Sequence, residues 1–237
     1  MPGVARRLPD GAAGDIAWLA LFAAGYALFD GLPVVLSGDS FIADMSWGDL
    51  VDAPLVFLPV ALYVALGRRF DLWRSDRLRL LGGAALVLLV QGQGVHLAAN
   101  TIAGVSDRSQ QSWPITDFLD EHWGHVEVHG ASILLALLLL VAGRATGDLR
   151  GASASARLVL FAATAVYGLF LAADAIEGQT APLILPAGAI LGAVAVRVSR
   201  AGLAAHRVFL GGAYGLAVVL RAVYGLVTGG FPELPGL

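Results

Sequence analysis

Seven stretches of the chain stay apolar long enough to cross a bilayer: residues 15–36, 48–67, 78–104, 122–143, 155–177, 181–199 and 203–229. About 20 predominantly apolar residues in helical conformation span the hydrocarbon, and runs of this length mark transmembrane helices. The sixth stretch is the shortest, and only Gly178 to Thr180 separate it from the fifth. The pattern predicts an all-α, polytopic seven-helix bundle forming a single transmembrane domain over residues 1–237. Between the third and fourth stretches lies the polar sequence VSDRSQQSWPITDFLD, residues 105–120. It reads as a loop on the membrane surface that partly covers the bundle.

Polar residues interrupt the apolar pattern in an ordered way. His122, His125 and His129 follow one another at i, i+3 and i+7, and Gln93, His96 and Asn100 repeat that spacing in the preceding stretch. Steps of three, four and seven residues return to one face of a helix, so each segment carries a polar stripe. The two segments are consecutive and should form an antiparallel hairpin in which the stripes can face each other. Ionisable groups are expensive inside a bilayer and usually functional there, so four imidazoles in two adjacent stripes call for a chemical reason.

Composition narrows that reason. The chain has 237 residues, 57% hydrophobic and 14% charged, with a mean hydropathy of +0.75. It has no cysteine, which excludes disulfides, thiolate metal ligands and a cysteine nucleophile. All 15 basic residues are arginine; without lysine there is no retinal Schiff base, so a light-driven rhodopsin is excluded. The bias towards Ala, Val, Leu, Gly and Arg is typical of high-GC bacterial coding and points to a bacterial inner membrane. The N-terminal MPGVARRLPDGAAGD is too polar for a cleaved signal peptide.

Charge is distributed unevenly. With the N-terminus placed inside, 13 of the 15 arginines fall at inner positions; only Arg108 lies in an outer loop, and Arg221 lies within the seventh helix. By the positive-inside rule the N-terminus is cytoplasmic and the C-terminus outside. Thirteen of the 18 acids, among them Asp30, Asp52, Asp120, Glu121, Asp174 and Glu177, fall on the opposite side. Acids contribute little to topology, so this asymmetry is read as a polar site opening outward.

Imidazole and carboxylate are ligands of zinc and of other divalent metals. His125 and His129 give two ligands on one helical face, and His96 supplies a third across the hairpin. Glu121, one turn before His125, extends the same row and, with Asp174, is a candidate general base; Asp174, Glu177 or Asp52 can equally supply an oxygen ligand or a partner that orients an imidazole. Asp52, Gln93, Asn100, His122, Glu177 and Arg221 are placed around this centre in supporting roles, with His122 nearest the interface. Arg221 is expected to pair with Asp52, Asp174 or Glu177, the alternative being that it binds an anionic substrate headgroup. In Gln91-Gly92-Gln93-Gly94 the glycines are expected to let helices approach and the glutamines to bond across them.

Seven helices with His96, the Asp120-Glu121 pair in FLDEHW and His125-x3-His129 resemble the CREST superfamily of membrane hydrolases. That group comprises the alkaline ceramidases and the adiponectin-receptor and haemolysin-III-like proteins. There, histidines and an aspartate hold zinc for hydrolysis of lipid amides, although the H-x-x-x-H of the family lies late in the chain and here it lies in the fourth helix. The resemblance implies a zinc-dependent hydrolase of a lipid-like substrate, with membrane lipids as its surroundings and no nucleic-acid partner. Two further readings use the same residues. One is a transporter or channel for a metal ion or proton, which requires polar positions to continue to the other face. The other is a haem-binding, pH-sensing or structural membrane subunit.

Overall fold

In hydrocarbon each backbone N–H and C=O must be satisfied within the protein, which makes the apolar stretches helical. The structure, a computed structural model, describes residues 11–37, 40–42, 45–105, 109, 111–200 and 202–232. Its helices are α1 (Ala12–Leu36), α2 (Trp47–Leu55), α3 (Phe57–Arg69), α4 (Asp76–Val105), α5 (Trp113–Asp117), α6 (His125–Ala142), α7 (Ala154–Glu177), α8 (Ala181–Ser199) and α9 (Ala205–Thr228). They make seven segments long and apolar enough to cross a membrane. The architecture is all-α apart from a short antiparallel pair, β1 (Ser40–Ile42) with β2 (Met45–Ser46).

Two segments are composite. The second consists of α2 and α3, interrupted at Val56. Pro59 has no N–H to offer the Leu55 carbonyl, so the helical ladder loses a bond there. The fourth starts earlier than the apolar pattern suggests. It runs from Trp113 through a π-helical turn (Phe118–Gly124) into α6, so the second half of the polar stretch 105–120 is helix rather than surface loop. Pro114 in the first turn of α5 explains the start, because its missing N–H would find no helical partner anyway.

The segments pack as a ring. α4 lies on α6, α6 on α8, α8 on α9, α9 on α7, α7 on α1, and α1 on α2 and α3, which touch α4 to close the circle. Aromatic side chains fill its middle. Phe22 of α1 meets the rings of Tyr63 and Tyr167 edge-on at 4.9 and 5.1 Å. Tyr167 stacks on Phe209 at 5.4 Å, and the Tyr63 and Tyr167 hydroxyls lie 3.1 Å apart. Leu80, Leu158, Val196 and Leu226 project outward and are exposed, as lipid-facing residues must be.

The two ends of the ring differ. At the arginine-rich end, Asp15 is fully buried and accepts hydrogen bonds from Arg69 Nε (2.8 Å), Thr146 Oγ1 (2.8 Å) and the Thr146 backbone N–H (3.1 Å). Arg74 donates to the Ala142 carbonyl at 2.6 Å, and the Arg144 N–H donates to the Phe70 carbonyl at 2.8 Å. These bonds tie α1, α3, α6 and the α6–α7 connection together. At the other end, the polar end, histidines and acids gather.

Removing one member of a buried pair leaves the other charge uncompensated, which costs about 3–5 kcal/mol. Asp15→Ala should therefore lower the thermal midpoint of the detergent-solubilised protein far more than Asp76→Ala, whose partner Arg79 is exposed. Equal midpoints for the two variants would show that the buried pair does not hold this end.

Candidate metal centre

The centre exists because α4 and α6 come unusually close. A methyl group on Gly92 would stand 2.7 Å from Glu127 Cβ and 2.8 Å from the Gly124 carbonyl oxygen; one on Gly124 would stand 2.8 Å from His96 Cβ. Only two residues without side chains fit at this crossing, as small residues allow close approach between membrane helices. The approach sets the His96 and His125 rings 4.5 Å apart, centroid to centroid. The glutamines flanking Gly92 bond across helices: Gln91 donates to Glu127 (3.1 Å) and buried Gln93 donates to Asp52 of α2 (2.9 Å).

From the far side of the ring, α7 contributes Asp174. Ligand atoms of His125, His129 and Asp174 all lie within 4.8 Å of one another, so the group can hold a metal ion. Asp174 Oδ1 is 3.8 Å from His125 Nδ1, and Asp174 Oδ2 is 3.7 Å from His129 Nε2. Both distances are too long for hydrogen bonds. Two ligands about 2.1 Å from a tetrahedral ion stand roughly 3.4 Å apart, so a small inward movement of the side chains satisfies all three.

The donors are also free to bind. His129 is fully buried, and among the described residues neither of its nitrogens has a hydrogen-bond partner, nor does His125 Nε2. A neutral imidazole carries one donor and one acceptor, and leaving such groups buried and unpaired costs free energy. A cation shared among the three residues removes part of that cost.

His96, expected as a third ligand, stands beside this group rather than in it. Its Nδ1 lies 2.8 Å from Asp120 Oδ1, an ion-pair contact outside hydrogen-bond angles. Asp120 is in the π turn, whose wider i→i+5 winding shifts the residues before His125 relative to an α-helical register. The structure therefore joins His125 and His129 to Asp174, with the His96–Asp120 pair packed against His125. Asp174, read from the sequence as an oxygen ligand or a base, falls at ligand distance, and Asp120 enters the centre in a role the 3.6-residue spacing gave no signal for.

The remaining predicted residues divide clearly. Glu177 is half-buried at the end of α7. His122 is exposed and stacks on Phe118, and Asn100 is exposed as well. The Glu121 side chain lies outside the described residues. The expected ion pair of Arg221 is not found: among the described residues no acid is within 4.0 Å of its guanidinium, whose nitrogens have no hydrogen-bond partner. Its neighbours are the rings of Tyr224 and Phe231. The fifth histidine, His206, is buried against Phe70 at the arginine-rich end and takes no part.

Comparison with protein-family models, curated proteins and solved structures finds no match. The chain is a membrane protein by its seven apolar helices, and the metal-capable group is what its polar end offers chemically.

Gly178, the residue after α7, is a test of this geometry. A Cβ at this position would collide with the His125 ring. Gly178→Ala should push His125 away from Asp174 and cost about 1–3 kcal/mol through overpacking. Cobalt titration followed by absorbance should show weaker binding than in the parent; unchanged binding would mean that His125 is not a ligand.

Proposed function

We propose that the protein is a metal-dependent membrane hydrolase acting on a lipid-like substrate, with the ion held by His125, His129 and Asp174. The observation that carries this reading is the convergence of three buried or half-buried ligand atoms within 4.8 Å. Three protein ligands leave a fourth position for water or substrate, as catalytic zinc sites do and closed structural sites do not. Zinc suits two imidazoles and a carboxylate. When bound, it supplies Lewis acidity, which polarises a scissile carbonyl and makes water a better nucleophile at neutral pH.

The chain's own residues do the rest. Asp174 lies opposite both histidines, 3.7 and 3.8 Å from their nearest nitrogens, and completes the ligand set with them. Glu177, three residues further along α7, is placed to accept a proton from the attacking water. His96, held by Asp120 and packed on His125, is placed to return a proton to the leaving group. This arrangement is similar in kind to the chemistry that the CREST resemblance implies, reached here through a different order of residues.

The aromatic filling of the ring favours a site over a conduit. Below the centre the packed rings of Tyr26, Tyr63, Tyr167, Phe22 and Phe209, all buried, favour a closed site over the pore lined by charged side chains or carbonyls that a metal channel needs. We further place the N-terminus in the cytoplasm of a bacterium and the centre towards the outside of its inner membrane. The arginine asymmetry supports this orientation.

Protein purified without added metal should contain one divalent ion per chain by elemental analysis, and His129→Ala should lower that content to near zero. A short-chain ceramide should be cleaved by the parent, not after chelation, and again once zinc is restored. Metal-replete protein that leaves the amide and related esters intact would remove the hydrolase reading and leave a metal-binding membrane protein. For orientation, a reporter near Arg74 should be cytoplasmic and one after Leu237 extracytoplasmic; the reverse would invert the site.

A further inference from the structure

Arg221 is the largest side chain that is fully buried in the described structure, and its Nε, Nη1 and Nη2 all lack hydrogen-bond partners. A guanidinium cannot shed its charge to escape the cost of burial. Its cover is specific. Phe231 and Tyr224 place their rings 4.9 and 5.7 Å from Arg221 Cζ. Gly229 ends α9 in the left-handed conformation at φ +69°, turning the chain back over the helix. Thr228 Oγ1 then donates to the Gly230 carbonyl (2.9 Å) and the Tyr224 hydroxyl donates to the Pro232 carbonyl (3.1 Å). A side chain on Gly225 would collide with the Phe231 ring, so Gly225 keeps the flap seated.

Aromatic rings attract a cation through their faces, and no carbonyl or carboxylate among the described residues takes up the in-plane N–H groups. The geometry points to an oxyanion-binding site at Arg221: a phosphate or carboxylate group received by the planar guanidinium fork beneath the Phe231 flap. Two coplanar oxygens use two parallel donors at once, whereas a halide meets the fork at a single point. None of the metal-centre residues belongs to this site. The oxyanion can arrive as a lipid headgroup or as a free ion. Val219, Val223, Leu226 and Val227 on the opposite face of α9 are exposed, and Phe231 is 43% exposed, so the flap lies within reach of both the membrane surface and water.

The test uses the full chain in a neutral detergent with chloride as the sole anion. Thermal midpoints are measured against added inorganic phosphate or acetate, and in nanodiscs of phosphatidylcholine with and without phosphatidylglycerol. The parent should be stabilised saturably by phosphate or acetate if the ligand is a free ion, and only by phosphatidylglycerol if it is a headgroup. Arg221→Leu should lose that response. It should also melt at or above the parent in chloride alone, because it removes an uncompensated buried charge. Arg221→Gln reads the same response if the leucine variant fails to accumulate, and Arg221→Lys should bind at least tenfold more weakly for want of the fork. A response that survives in Arg221→Leu overturns the proposal. So does the absence of any response in the parent, and so does an Arg221→Leu midpoint far below the parent's in chloride, which would mean that the guanidinium already has a partner within the chain.

Discussion

Everything at the polar end depends on how closely α4 and α6 approach where Gly92 meets Gly124. Membrane helices gain little from hiding apolar surface, since lipid tails are as apolar as the neighbouring helix; they associate through packing and interhelical polar contacts. With glycines at the crossing, the α4 backbone comes near enough to set His96 against His125 and Gln91 against Glu127. Once the pair is fixed, α7 can bring Asp174 to within 4 Å of both α6 histidines. A methyl group at either glycine would separate all of these groups together.

Buried charge is handled in three ways in one small protein. At the arginine-rich end, Asp15 and Arg69 neutralise each other and Thr146 fills the remaining lone pairs. At the polar end, histidines and Asp174 converge without bonding one another, an arrangement that could hold a cation. Arg221 has aromatic rings beside it and, among the described residues, no hydrogen-bond partner for its N–H groups. The first is a finished structural element, whereas the other two are chemically incomplete by themselves. That contrast separates scaffold from candidate site more sharply than position along the helices does.

The seven apolar segments were legible in the sequence because bilayer thickness imposes one length on all of them. The stripe His125–His129 was legible because α6 is a regular helix from His125 onward. The partner set was less so. Asp174 stands out as an acid in an apolar run, but only the packing of α7 on the bundle decides that it reaches the histidines. Asp120 depends on a π turn, and no residue pattern announces where a helix will widen. The break at Val56 follows from Pro59, but the apolar run passes over it without a change in hydropathy. Arg221 went astray for a related reason: similar depth on neighbouring helices says nothing about facing, and its side of α9 turns towards the chain's own Tyr224 and Phe231.

The aromatic filling at the middle of the ring has an electrical consequence. A transmembrane potential falls mainly across the part of a protein that excludes water and ions, and a unit charge moved across the full drop gains about 2.3 kcal/mol per 100 mV. Here that dielectric layer is the block built on Phe22, Tyr63, Tyr167 and Phe209, with the histidines and Asp174 lying to one side of it. Protons and ions reaching those groups from the polar end do not cross the layer. Binding equilibria of ions entering from that end would thus be nearly isopotential with the adjoining solution, leaving the proposed centre largely insulated from a potential across the membrane.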